Sequence, residues 1–228
     1  MRARHAVVVV IAAAALAGCT TATMVVPAGL ETAAAPLAVR GLNPRTTGKP
    51  IDFGPYHVTV REGWQTSQSV AFLGITVGKA MRPYRFELTG GETAVSAACA
   101  TAAAEVWRGS LAVELPVDAV LGCEIRTEGV TWELHLNADR KGVLVGTLRV
   151  PRTADVFDVR SLHALEGAAW RVSEPVGFEL ARDGKPVAVA ETINAGRVWL
   201  PPSLDPRERD TVAAALAALL FFTPAEVQ

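Results

Sequence analysis

Apolar and polar residues alternate one by one through much of the middle of this chain. Residues 56–60 do so, as do Tyr84-Arg85-Phe86-Glu87-Leu88 and residues 130–136. Such alternation marks a strand with one buried face. In the last stretch Trp132, Leu134 and Leu136 share one face, and Glu133 and His135 the other. Residues 70–77 are apolar and rich in β-branched side chains. Residues 137–142 read as a turn between that alternating strand and another over 143–150. Residues 176–180 and 186–192 flank Asp183-Gly184, a pair suited to a two-residue hairpin turn. A last strand is expected over 197–200. Residues 93–107 are rich in alanine and read as strand and loop, in keeping with their neighbours.

The period then disappears. Asp205 is a good N-cap, Pro206 suits the first helical position, and Glu208 stands three residues after the cap. Residues 212–222 are eleven apolar side chains in succession. A helix with no polar stripe is buried on every face. This one is too short for a bilayer, which needs about 20 such residues. The helix 205–222 is therefore expected inside the protein, with the strands around it. The fold class expected is mainly β: an antiparallel, closed or nearly closed β-barrel wrapped around a hydrophobic C-terminal α-helix. Residues 51–228 suffice for a single domain with its own core.

The first residues read as an export signal. Arg2 and Arg4 precede an apolar stretch over 6–16, and small residues follow. Leu16-Ala17-Gly18-Cys19 resembles the lipobox of bacterial lipoprotein precursors. That resemblance implies removal of residues 1–18, a diacylglycerol thioether on Cys19, and acylation of the new amine. Two or three acyl chains hold a protein stably on a membrane. Thr20 stands where an aspartate would resemble a retention signal for the inner membrane. The location implied is the periplasmic side of the outer membrane, with the membrane as a partner through the lipid. Residues 19–50, with Ala, Thr, Pro and Gly and no sustained period, read as a flexible tether; the alternative is a strand around Met24-Val25-Val26.

The whole chain carries 22 basic and 23 acidic side chains, and without residues 1–18 the basic count falls to 20, a net charge of −3. This is not the footprint of a nucleic-acid binder. Cys99 and Cys123 are the thiols remaining after Cys19. In an exported chain they are expected as a disulfide closing a 25-residue loop. A metal site is the rival reading, although neither lies in Cys-x-x-Cys or near a histidine. No cofactor or metal is expected.

His57, His135 and His163 fall in no metal-binding pattern, and His135 is expected in solvent. There is no Gly-x-Ser-x-Gly, Walker or dinucleotide motif. The pairs Asp155 with Asp158 and Asp205 with Asp210 read as caps and solvated loops. No catalytic residue is assigned. Of the five tryptophans, Trp64 has the most polar surroundings and is the candidate exposed contact. Phe86-Glu87-Leu88, Trp132-Glu133-Leu134 and Phe178-Glu179-Leu180 recur at 46-residue spacing, which is either a repeated hairpin unit or the ordinary alternation of strands.

The ending Leu200-Pro201-Pro202-Ser203-Leu204-Asp205, a charged turn and an apolar run closing in Phe221-Phe222 resembles phospholipid scramblases. Their relatives are the plant LURP-one-related and tubby C-terminal proteins, which share a closed antiparallel barrel around a hydrophobic C-terminal helix. The hairpin before it suits that pattern. The acidic calcium segment of scramblases and the basic cluster of tubby are both missing here, so the resemblance implies the fold and not the activity. The function expected is a lipid-anchored, non-enzymatic structural or binding module whose protein or lipid partner is unknown. A lipid-handling module is the alternative, and a hydrolase ranks last.

Overall fold

The computed structural model describes residues 21–42, 49–61, 70–72, 75–77, 81–102, 119–139 and 141–222. The lipobox with Cys19, and Trp64 and Trp107, lie outside them. A short helix α1 (Leu30–Ala33) precedes the strands β1 (Leu37–Arg40), β2 (Ile51–Phe53), β3 (Tyr56–Arg61), β4 (Val70–Phe72), β5 (Ile75–Val77), β6 (Met81–Thr89) and β7 (Val95–Ala102). Then come β8 (Ala119–Thr127), β9 (Val130–Ala138), β10 (Leu144–Arg149), β11 (Val156–Leu162), β12 (Gly177–Arg182), β13 (Lys185–Glu191) and β14 (Arg197–Trp199), and finally the helix α2 (Pro206–Phe221). β4 and β5 pair only with each other. The remaining twelve strands form a closed antiparallel barrel, in which β1 joins β14 to β2. Closure leaves the barrel itself no free edge.

The alternation read from the sequence decides what faces inward. Phe86 and Leu88, Trp132 and Leu134, and Phe178 and Leu180 are buried. The glutamates between them lie on the outer side of the pleat. Each pairs there with an arginine of an adjacent strand: Glu87 with Arg61 at 3.0 Å, Glu133 with Arg149 at 3.6 Å, and Glu179 with Arg160 at 3.0 Å. The three triplets stand on β6, β9 and β12, three places apart in an antiparallel barrel. β9 therefore runs opposite to β6 and β12. The 46-residue spacing is not that of a hairpin unit copied by rotation about the barrel; what recurs is the two-faced strand.

The helix fills the lumen. Asp205 caps it, its carboxylate accepting from the Arg207 amide at 3.1 Å. Every residue from 210 to 220 is buried. A helix is about 10–12 Å wide with average side chains, and this one is slim, because Ala213, Ala214, Ala215, Ala217 and Ala218 face the wall. It packs against β7, β8 and β13, where Ala97, Ala188 and Ala190 are among the buried residues. Larger wall residues, Phe53, Phe86, Phe157 and Phe178 among them, supply volume elsewhere.

Cys99 and Cys123 are directly opposite on β7 and β8, both buried, and form a disulfide. In the chain-entropy view it removes about 3–4 kcal/mol of freedom from the unfolded chain. Replacing both cysteines by alanine should lower the unfolding free energy by about that amount, read as a fall in the urea midpoint, with a steeper slope because the uncrosslinked unfolded chain exposes more surface.

The expected tether needs correcting. β1 is a barrel strand, and Met24 and Leu30 are buried against an apolar patch on the outer wall that includes Val176, Val189 and Trp199. The composition of residues 21–42 gives no period because their burial is supplied by distant strands. The globular unit thus begins well before residue 51. At Met24 itself, where a strand was the alternative reading, there is a single isolated bridge, to Leu165.

Candidate functional site

Polar groups enter this apolar barrel at a few places. The first surrounds the helix entrance. Asp210 lies one turn inside α2 and has no exposed surface. Its Oδ1 accepts from the Tyr56 hydroxyl at 3.0 Å, and its Oδ2 from the Thr93 amide at 2.8 Å and the Thr93 hydroxyl at 3.2 Å. The Thr127 hydroxyl is 3.1 Å from that of Thr93. Since the Thr93 proton is given to Asp210, Thr127 donates here. Gly91 leaves the necessary room, as a Cβ there would stand 2.0 Å from Asp210 Oδ1. Around this core Glu208 pairs with Arg182, and Arg207 with Glu128 at 3.3 Å. The cluster fixes the depth of the helix in the barrel.

At the other end the Tyr84 hydroxyl donates to the Ala218 carbonyl at 3.0 Å. That carbonyl is one of the four a helix leaves unpaired at its C-terminus. Phe221 packs on Tyr84 and Phe86, and Phe222 on Phe178.

Tyr56 and Tyr84 are the chain's two tyrosines. Burial, then the hydrogen bond to and charge of Asp210, push the Tyr56 phenol up to about 12. Burial alone pushes Tyr84 up further. Unfolded, both ionise near about 10. The folded state thus keeps protons that the unfolded state releases. The advantage from Tyr56 is complete below about pH 10 and is lost as pH climbs through about 12, and that from Tyr84 persists to higher pH still. A tyrosinate absorbance titration should therefore stay flat through pH 10, then rise together with loss of near-ultraviolet dichroism. An ordinary two-tyrosine titration near pH 10 in a still-folded protein would contradict this placement.

A serine–histidine contact lies at the end of β11. Ser161 Oγ is 2.8 Å from His163 Nε2, and His163 Nδ1 is 3.1 Å from the Val172 carbonyl. A carbonyl only accepts, so Nδ1 carries the proton and Nε2 accepts from Ser161. Ser161 in turn accepts from the Leu144 amide at 2.9 Å. Both side chains are buried. The pair ties the segment following β11 to the barrel, with each polar atom already engaged.

The outer wall carries two buried glutamates, Glu179 and Glu191. Glu191 accepts from Arg197 Nη2 at 3.1 Å and from the Met24 amide at 3.1 Å. The hydrogen bond to Glu191 raises Arg197 further above its ordinary value. Arg197 also lies 5.0 Å from the centre of the Trp199 ring.

The residues singled out from sequence are scattered. His57 pairs with Asp52 in an exposed position, and His135 stands 3.6 Å from Glu133, partly covered. Asp155 and Asp158 are exposed. Asp205 is the cap expected; Asp210 is not in a solvated loop but in the core. Trp132 and Trp199 are buried, whereas Trp170 is 75% exposed. Among the described residues, no group of three or more His, Cys, Asp or Glu could hold a metal ion, and no helix is long and apolar enough to cross a membrane. The sequence near Asp210 does not set it apart from a solvated acid at a helix start, since Thr211 stands between it and the apolar run 212–222.

No family model, no curated protein and no solved structure matches this chain.

Proposed function

We propose that the chain is a lipid-anchored protein of the bacterial cell envelope, acting as a non-enzymatic structural or binding module. Acyl chains on Cys19 hold it to the periplasmic side of the outer membrane. The observation that carries the non-enzymatic part is the filled lumen. The helix occupies the space where a barrel of this kind would hold a ligand, and Asp210, Ser161 and His163 are engaged by their own neighbours. Binding falls to the outer surface. The anchor rests on the Leu16-Ala17-Gly18-Cys19 motif. Globomycin, which inhibits the lipoprotein signal peptidase, should leave a larger membrane-held precursor that keeps residues 1–18, and Cys19→Ala should abolish lipid attachment and change the fractionation. A size and fractionation unchanged by both would reject the reading.

A second reading is a lipid-handling module. It is favoured by the architecture itself, a closed barrel around a C-terminal helix, which the scramblase-like ending implies. With the lumen filled, lipid would meet the outer wall. Native mass spectrometry of protein taken from membranes should then show bound phospholipid beyond the covalent anchor. A mass without it would count against this reading.

A further inference from the structure

The residues following the anchor motif are gripped at once. The Ala22 carbonyl accepts from Asn194 Nδ2 at 2.8 Å, and the Thr23 carbonyl from the Glu166 amide at 2.8 Å. The Met24 amide donates to Glu191 Oε1 at 3.1 Å, and the Val25 amide to the Ala164 carbonyl at 3.0 Å. Met24 has no exposed surface. From Ala22 onward the chain belongs to the barrel, and only Thr20 and Thr21 separate it from Cys19. Three Cα–Cα steps reach at most about 11 Å. A barrel joined to acyl chains by so short a lead lies against the headgroups, on the edge where the lead enters.

That edge carries apolar surface. The loop that grips Thr23 and Val25 continues through Glu166-Gly167-Ala168-Ala169-Trp170-Arg171, all exposed. It returns where the Val172 amide donates to the His163 carbonyl at 2.9 Å. Trp170 is 75% exposed, and Val25, on the gripped segment itself, is 43% exposed. Tryptophan has an apolar body and one N–H donor, which suits the boundary between acyl chains and water. Arg171 follows it, with donors matched to phosphate oxygens. Glu166, the acid of this loop, is close enough to Arg197 to raise it.

We propose that residues 166–171, together with Val25, form a membrane-contact surface, and that the barrel sits on the phospholipid bilayer with this edge against it. The proposal rests on acylation of Cys19. Its test uses the full mature lipoprotein in phosphatidylethanolamine/phosphatidylglycerol vesicles, with and without dibrominated phosphatidylcholine, which quenches tryptophan on contact. Bromolipid should quench the native protein, and Trp170→Phe should remove most of that quenching while melting at the native temperature. If the native protein carries no lipid by mass and does not float with vesicles, the anchor reading fails and this proposal falls with it. If it floats and the quenching of native and Trp170→Phe proteins is equal or absent, the anchor stands and the membrane-contact surface is refuted.

Discussion

Leu216→Asp should leave no folded barrel at 25 °C. Leu216 lies at the middle of the apolar run in α2 and has no exposed surface, and the residues within one turn of it are Val212 to Leu220, all apolar and buried. A carboxylate placed there finds no cation within a turn on either side, since the arginines of its own helix, Arg207 and Arg209, stand at the entrance. The wall beside the run contributes Phe, Leu, Val and Ala side chains to the same core. Burial of an unpaired charge costs several kcal/mol, or forces the acid to hold its proton at a similar cost. A domain of ordinary stability has about 5–15 kcal/mol in all. Leu216→Ala removes only the transfer and cavity terms, about 2–5 kcal/mol, and should fold with a lower midpoint. Arg209→Ala at the helix entrance should change stability by less than about 1 kcal/mol. Thermal unfolding of the three variants in the full mature chain gives the comparison. A Leu216→Asp protein melting within a few degrees of native would show that the helix centre meets water or can move to it.

Asp210→Ala should be the next most damaging change. It strands the Thr93 amide and the Tyr56 hydroxyl inside the barrel, both of which donate to this carboxylate. Each orphaned donor costs about 1–3 kcal/mol, so the loss should be on the order of 3–5 kcal/mol. Asp210→Asn keeps one oxygen for Thr93 and presents an amide donor to Tyr56, whose oxygen can accept. Its cost should be about 1–2 kcal/mol. Tyr56→Phe should cost a similar amount and should lower the tyrosinate signal at high pH by the share of one residue. Urea unfolding of these variants separates the cases. Equal stabilities for Asp210→Ala and Asp210→Asn would mean that the carboxylate does not hold the helix in place.

The parts of the fold that could be read from the chain are those where local pattern and tertiary burial agree. β6, β9 and β10 alternate as a two-faced strand must, and the β12–β13 hairpin, buried on both faces, is marked by its turn. The turn at Asp183-Gly184 takes positive φ at both residues, 51° and 72°, as its composition requires. The all-apolar helix could have only one surrounding. β8 and β11 escaped for physical reasons. β8 places Gly122 among its alternating residues, and its turn is Glu128-Gly129, again with positive φ at both positions. β11 inverts the code at its ends, with Val156 facing out and Ser161 facing in. Residues 21–42 were illegible because their buried side chains answer to Glu191, Val189 and Trp199, well over a hundred residues away.

The polar sites were harder still. Ser161 and His163 are two apart on an extended segment, a spacing that sets both on one side, yet nothing local says that the side is buried. Asp210 looks like any acid near the start of a helix until the barrel closes over it. Trp64 drew attention by its polar neighbours. Trp170, exposed beside the entering N-terminal segment, lies in a stretch without strand alternation, and its importance depends on where Met24 docks.

Hydrogen exchange resolved to single residues in the native state tests the central claim, that the chain's own helix fills the barrel, most directly. Amides of residues 212–220 can reach water only if the barrel opens, so they should exchange at the rate set by global unfolding, with the slowest amides of β7, β8 and β13. Amides of the exposed loop 166–171 should exchange far faster. Exchange of the helix amides on the time scale of that loop, while the strands stay protected, would place the helix outside the barrel and contradict the account.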